Sequence, residues 1–106
     1  MFARSVSFQL KPGRSTEFTQ TLEKEIIPVL RKQKGFQDEI SLVTSSGGEA
    51  IGISVWDLRE NAETYARGAY SEVLKLLAPV IEGTPAVQTY EVSNSTLHKV
   101  PARGLA

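Results

Sequence analysis

Residues 50–70 constrain the fold of this chain more than any other segment, because a strand pattern passes into a helix pattern almost without a loop. Apolar residues alternate with small ones up to Trp56, which is the two-residue period of a strand with one buried face. Asp57 follows, and Glu60 three residues later predicts a capping box at the start of a helix. Apolar residues then recur at helical spacing. The rest of the chain should therefore cover a strand–helix unit.

Periodicity elsewhere predicts three more strands and the helices between them. The first helix carries apolar residues at strict four-residue steps and contains Pro28, whose ring should bend it. Residues 45–48 have turn chemistry of hairpin length, so the strands on either side should be antiparallel neighbours. Residues 83–85 are typical of a loop. The predicted strands are residues 2–10, 36–44, 50–56 and 87–96, and the main helical segments are residues 14–34, 57–67 and 70–81.

The order strand, helix, strand, strand, helix, strand predicts an α+β, ferredoxin-like βαββαβ fold. Both helices should pack on one face of a four-stranded antiparallel sheet. In the first strand Arg4 shares the apolar face with Phe2 and Phe8. If the apolar residues of the first three strands face the helices, the other face is small and polar, either exposed to water or closed by a second subunit. The residues expected on that open face are Ser5, Ser7, Gln9, Glu39, Ser41, Gly52, Ser54 and Trp56.

Composition restricts the classes of function. The chain has 106 residues, which predicts one domain (residues 1–96) with a C-terminal tail (residues 97–106). Twelve basic and twelve acidic side chains cancel, so no strong field attracts nucleic acid or anionic membranes. Cysteine is absent, which excludes disulfides and thiolate chemistry. No signal-peptide or transmembrane pattern is present, so a cytoplasmic location is expected.

Several short motifs resemble one known family. Lys11-Pro12-Gly13 is followed by Glu17-Phe18, Gly35-Phe36 opens the second strand, and the third strand ends in Trp56 before a short helix with acidic residues at its start. Together they resemble the antibiotic biosynthesis monooxygenase-like family of the dimeric α+β barrel superfamily, over about residues 2–96. The resemblance implies that two sheets meet face to face across a two-fold axis. It also implies small ligands bound between each sheet and its helices.

The site residues of the catalytic branches of that family match this sequence only in part. Haem-degrading members are expected to have a histidine in the second-helix region and an asparagine on the first strand. Residues 70–81 contain no histidine and residues 2–10 no asparagine, and Tyr65 stands where a helical tryptophan would lie. Haem degradation is therefore disfavoured. The other branch oxidises phenolic polyketides without a cofactor, and its pocket residues do not form a motif that can be matched here.

Aromatic and ionisable side chains give the candidates for a ligand pocket. Trp56 could stack on a flat ligand or anchor a core or an interface. Tyr65 and Tyr70 could donate hydroxyl hydrogen bonds into the pocket, although Tyr65 could equally pack in the core. Glu39 could act as a base if a partner subunit buries it, or could be a solvated carboxylate.

Each of the remaining candidates also has a simple interpretation as a solvent-facing residue. Asn61 and Arg67 could bind an anionic ligand or simply face solvent. His98 titrates near neutral pH but lies in the polar tail, where an exposed position is the simpler interpretation. One histidine and scattered carboxylates predict no metal site.

Two functional hypotheses follow. The first is a dimeric, cofactor-independent monooxygenase-like protein that binds a planar apolar or phenolic molecule in a cleft between helix and sheet. The catalytic residue is not identified, and oxidation would rely on the anion of the substrate reacting with oxygen. The second is a non-catalytic homodimeric module that binds a small molecule or serves in association. Neither hypothesis includes a cofactor, nucleic acid or membrane partner.

Overall fold

A computed structural model of the chain describes residues 1–97. His98 and the rest of the tail lie outside the described residues. The strands are β1 (Phe2–Leu10), β2 (Phe36–Val43), β3 (Glu49–Trp56) and β4 (Ile81–Glu91). The helices are α1 (Ser15–Thr21), α2 (Ile27–Arg31), α3 (Arg59–Arg67) and α4 (Tyr70–Leu77), with a π-helical turn (Leu22–Ile26) between α1 and α2.

The four strands form one antiparallel sheet in the order β2-β3-β1-β4, which confirms the predicted ferredoxin-like α+β fold. β2 and β3 are joined by the expected hairpin at residues 44–48, where Gly47 has a positive φ of 77°. The helices cover one face of the sheet, and their buried side chains join those of β1 in a single core. No helix within residues 1–97 is long and apolar enough to cross a membrane.

The π-helical turn explains how the first helical segment keeps its apolar residues on one side. In an α-helix a step of four residues overshoots one turn by about 40°, so a strict four-residue repeat drifts around the helix. A π-helical turn winds more slowly and offsets that drift. The turn ends just before Pro28, which lacks the amide that would pair with a carbonyl four residues earlier. As a result four apolar residues of the repeat are all buried: Phe18, Leu22, Ile26 and Leu30.

The face assignment made from the sequence holds for β1 but is wrong for β2 and β3. Trp56 pairs with Phe2 and is fully buried at 0 % exposure, so it lies beneath the helices and not on the open face. The register then places Gly52 and Ser54 on the helix side as well. In β2 a bulge between Phe36 and Asp38 shifts the alternation, and the side chains of Glu39 and Ser41 also face the helices.

The β2–β3 half of the outer face is therefore apolar, where a small and polar face was predicted, whereas β1 presents Ser5, Ser7 and Gln9 there as predicted. Ile40 is paired with Ile53, and Leu42 with Ile51. Ile40 is 50 % exposed and Leu42 is 49 % exposed, although both are large aliphatic side chains. Tyr90, on the β4 side of the same face, is also exposed. The exposed aliphatic side chains of β2 and β3 are adjacent, and exposed apolar patches of this kind are typical of interaction surfaces.

Two local predictions are also wrong. The capping box does not form. The residue before α3 is Leu58 and not the predicted Asp57, and no side chain caps the start of the helix. Asp57 instead accepts hydrogen bonds from the amide of Leu58 at 2.6 Å and from Nδ2 of Asn61 at 2.8 Å. Residues 83–85 are not a loop but an irregular part of β4, which is an edge strand and so tolerates Pro85.

Candidate functional site

A cleft of about 40 Å³ lies between the sheet and the helices. Most of its wall is apolar, and a few polar side chains converge on it, which is the usual composition of a small-molecule site. Its floor is formed by β1, β2 and β3, and its roof by the π-helical turn, α2, α3 and α4. The lining residues are Arg4, Val6, Phe8, Leu22, Ile26, Leu30, Glu39, Gly52, Ser54, Tyr65, Tyr70, Val73 and Leu77.

The cleft exists because β3 presents small residues to the helices. Gly52 sits in the centre of the sheet between Val6 and Ser41. A Cβ atom at Gly52 would lie 3.5 Å from Oε2 of Glu39 and 3.9 Å from the ring of Phe8, which are ordinary contact distances. A larger side chain at this position would project into the cleft and fill it. The glycine thus leaves space that a typical strand residue would occupy.

Arg4 is the charged residue most deeply buried in the site, with 5 % of its surface exposed. Its Cζ atom lies over the ring of Tyr70, 4.0 Å from the centroid, and 5.6 Å from the ring centroid of Tyr65. Both distances are within the range of a cation–π contact. Arg4 also lines a second cavity of about 60 Å³, whose lining includes Arg59 and Glu63 of α3.

Glu39 lies on the helix-facing side of β2 and is half-buried within its own protomer, whereas the sequence suggested burial by a partner. Burial raises the pKa of the Glu39 carboxyl above its ordinary value of 4.5, and the Ser41 hydroxyl opposes that rise by donating a hydrogen bond of 2.5 Å. A carboxyl with a raised pKa can exchange a proton nearer neutral pH than an exposed one. Glu39 is therefore the lining residue best suited to accept a proton from a ligand.

Tyr65 and Tyr70 form the aromatic part of the wall. Their ring centroids are 5.9 Å apart and the planes are tilted by 58°. Burial raises the pKa of Tyr65 to about 12, Arg4 lowers it, and the nearby Tyr70 and Glu39 add to the rise. Tyr65 therefore keeps its proton at neutral pH, and its hydroxyl remains a hydrogen-bond donor.

Three of the side chains predicted to line a pocket meet in this cleft, namely Glu39, Tyr65 and Tyr70. Trp56 lies behind the wall: it stacks on Tyr65 at 5.1 Å between centroids, and its Nε1 donates to Oγ of Ser54 at 2.9 Å. Asn61 is bonded to Asp57 and is not part of the lining.

Arg4 and Ser54 were not singled out from the sequence. Arg4 was nevertheless visible as a lone charge on an otherwise apolar strand face, and such a charge needs a reason to be buried. Ser54 offered no comparable signal. Within residues 1–97 no group of His, Cys, Asp and Glu side chains is arranged to hold a metal ion.

Solved structures share this fold. A protein of unknown function from Nitrosomonas europaea matches with a TM-score of 0.74 at 16 % identity, over 96 % of this chain and 95 % of that one. A Bordetella bronchiseptica protein assigned provisionally to the antibiotic biosynthesis monooxygenases matches with a TM-score of 0.74 at 14 % identity, over 88 % and 97 %. A monooxygenase from Streptomyces coelicolor in complex with nanaomycin D matches with a TM-score of 0.74 at 15 % identity, over 95 % and 92 %.

These neighbours confirm, at the level of the fold, the resemblance to antibiotic biosynthesis monooxygenases that the sequence motifs indicated. No protein-family model matches the chain, and no curated protein matches it in sequence.

Proposed function

We propose that this chain is a cofactor-independent, monooxygenase-like protein that binds a small planar phenolic molecule in the cleft between helices and sheet. The observation that supports this most directly is the convergence of Glu39, Tyr65 and Tyr70 on one apolar cleft. Glu39 would accept the phenolic proton, and the neutral hydroxyl of Tyr65 would donate a hydrogen bond to a ligand oxygen. The monooxygenase from Streptomyces coelicolor, which has the same fold, makes oxidation the first activity to test.

The reaction needs no reductant other than the substrate. A phenol loses its hydroxyl proton, and the resulting anion supplies electrons to molecular oxygen. One oxygen atom becomes bonded to the ring, while the other leaves as water with the two hydrogens lost from the ring carbon and the hydroxyl group. The products are a quinone and water, and the four electrons that reduce oxygen all come from the ring. The part of the protein in this scheme is to orient the ring, remove its proton and exclude bulk water.

The volume of the cleft restricts the ligand. About 40 Å³ holds only a few water molecules, whereas a cavity that admits benzene measures about 150 Å³. A single aromatic ring therefore enters only if side chains of the wall move aside. The aliphatic residues of the π-helical turn, Leu22 and Ile26, are the ones that line the cleft from the least regular part of the helical layer.

Trp56 provides a direct binding assay, because it is the only tryptophan of the chain and stacks on Tyr65 in the wall. Single-ring phenols are titrated while tryptophan fluorescence is recorded, and oxygen uptake is measured on the same samples. Gly52→Val is the blocking variant, since its side chain would fill the cleft. Binding and oxygen uptake in the wild type, both lost in Gly52→Val, would support the proposal. Oxygen uptake that persists in Gly52→Val would place the reaction elsewhere.

A non-catalytic module that binds a small molecule or serves in association is the second candidate, and the small volume of the cleft favours association. If such a module binds phenols, they change the fluorescence of Trp56 but oxygen uptake stays at the level of buffer. If no phenol alters the fluorescence or consumes oxygen, phenol binding is refuted for both candidates, and association remains as the function to test.

We also propose that two protomers pair through the outer face of the sheet. Ile40, Leu42 and Ile51 leave large aliphatic surface in water on the face opposite the helices. A domain of this size buries only about two-thirds of its unfolded surface by itself, so covering that face adds substantially to its stability. Sedimentation equilibrium at micromolar concentration tests the proposal, and a monomer under those conditions would refute it.

A further inference from the structure

We propose that Arg4 makes the cleft selective for the anionic form of its ligand, a phenolate whose charged oxygen pairs with the guanidinium. This inference rests on the proposed function, because it names the ionisation state in which the same cleft holds a phenol. Arg4 is not among the residues on which the resemblance to the family rests.

The guanidinium of Arg4 is buried against aromatic rings but has no hydrogen-bond or salt-bridge partner among residues 1–97. Only 5 % of the residue is exposed. The salt bridges among residues 1–97 join Arg14 to Glu17 and Arg59 to Glu63, and none involves Arg4. The hydrogen bond recorded for Arg4 uses its backbone carbonyl, which accepts from Oγ of Ser54. A buried charge of this kind is costly unless something compensates it.

The unpaired donors of Arg4 must border the cavities. Within residues 1–97 no fully enclosed side-chain nitrogen or oxygen lacks a hydrogen-bond partner. The nitrogens of Arg4 make no such bond, so they keep access to the two cavities that the residue lines. The ring of Tyr70 covers one face of the guanidinium at 4.0 Å. The N–H donors lie in the guanidinium plane, so a ring on its face leaves them available to an acceptor beside it.

The surroundings of Arg4 favour a phenolate over other anions. Apart from Glu39, Gly52 and Ser54, the other lining residues are aromatic or aliphatic, which suits a flat ring with one charged atom at its edge. The titratable and charged groups that share the two cavities with Arg4 are Glu39 of β2, Arg59, Glu63 and Tyr65 of α3, and Tyr70 of α4. Glu39 becomes neutral when it accepts the phenolic proton, and burial favours that neutral form, so the carboxyl does not repel the phenolate.

The ionisation of 4-nitrophenol provides the test, because its anion is yellow and its neutral form is colourless. The wild-type protein is titrated with 4-nitrophenol across pH by absorbance, and with its methyl ether, 4-nitroanisole, which cannot ionise. We expect the pKa of 4-nitrophenol to be lower when bound than when free, and the anion to bind at least about tenfold more tightly than the ether. An unchanged or raised pKa of the bound phenol would overturn the inference.

Arginine variants locate the effect. Arg4→Gln should reduce the affinity for the anion by at least about tenfold while affinity for 4-nitroanisole changes less than about twofold. Arg67→Gln, on the exposed surface of α3, is the matched control and should behave as wild type. Arg59→Gln should also leave anion binding unchanged, since Arg59 lines only the second cavity. A loss in Arg59→Gln equal to that in Arg4→Gln would move the anion to the second cavity and overturn the inference.

The outcomes separate this inference from the proposed function. If both compounds bind with equal affinity, the cleft binds rings but does not select the anion, and only this inference fails. If neither compound binds, the proposed function fails for single-ring ligands and the inference fails with it. Far-UV circular dichroism checks that Arg4→Gln is folded. The pKa shift of 4-nitrophenol bound to the wild-type protein tests the inference even if that variant does not fold.

Discussion

Replacing Gly35 by alanine should destabilise the fold far more than the same change at Gly13. Both glycines have a positive φ, 80° at Gly35 and 73° at Gly13, so an alanine would have a similar backbone strain energy at either position. At Gly13 an added Cβ would meet nothing within 4 Å. At Gly35 it would collide with Oδ1 of Asp57 and Nδ2 of Asn61, and would lie 2.9 Å from Cβ of Asn61.

The magnitudes follow from these two contributions. The left-handed conformation costs a residue with a Cβ about 1–2 kcal/mol, and the loss of backbone freedom in the unfolded chain returns about 0.4–1 kcal/mol. Gly13→Ala should therefore lower the free energy of unfolding by about 1 kcal/mol. Gly35→Ala also displaces the Asp57 carboxylate from Asn61, and losing a hydrogen bond to a charged group costs about 1.5–3 kcal/mol. A total of about 3 kcal/mol is expected at Gly35.

Urea unfolding at a fixed protein concentration measures both variants, with the fluorescence of Trp56 as the signal. For a domain of this size the difference of about 2 kcal/mol corresponds to about 10 °C in melting temperature. Asp57→Ala in the Gly35→Ala background should restore part of the loss, because it removes the nearest colliding atom. Equal destabilisation at Gly35 and Gly13 would refute the argument from the collision.

Three further predictions test the core, the outer face and the site. Trp56→Ala should lower the free energy of unfolding by about 3–5 kcal/mol, because the side chain is fully buried; a variant with wild-type stability in urea would contradict that placement. Ile40→Asp should weaken self-association in sedimentation without loss of fold, whereas Leu58→Asp, equally exposed but away from the outer face, should not. The raised pKa of Glu39 means that the folded chain binds its proton more tightly than the unfolded chain, so stability falls as pH rises from about 4.5 through the folded pKa. Glu39→Gln should remove that fall and be the more stable protein at neutral pH, and an unchanged pH profile in urea would argue against it.

The order of elements was predictable because each carries a clear period in the sequence. β1 shows a complete alternation, and its boundaries and buried face are those predicted. The faces of β2 and β3 were not predictable from alternation alone, because both of their faces carry apolar residues. The register that pairs Trp56 with Phe2 decides the question, and a register depends on contacts between segments distant in sequence.

The candidate site was predictable only in part. Tyr65 and Tyr70 were identified because their hydroxyls could donate hydrogen bonds into a pocket between helix and sheet, and both line the cleft. Glu39 was identified, but it was assigned to the wrong face. The space itself comes from Gly52, whose role becomes visible only when the neighbouring strands and helices are in place. Arg4 was recognised as lying on the apolar face, but its missing partner is a property of the folded molecule.

The bulge in β2 is a position at which the chain can lose a residue without changing which side chains face the cleft. Two residues, Gln37 and Asp38, occupy the step from Phe36 that one residue takes on the partner strand. A chain that lacked Gln37 would form a regular ladder in which Glu39 still pairs with Ser54. Homologues could therefore gain or lose a residue here without rebuilding the cleft, whereas an insertion between Glu39 and the hairpin would exchange the inward and outward residues that follow it.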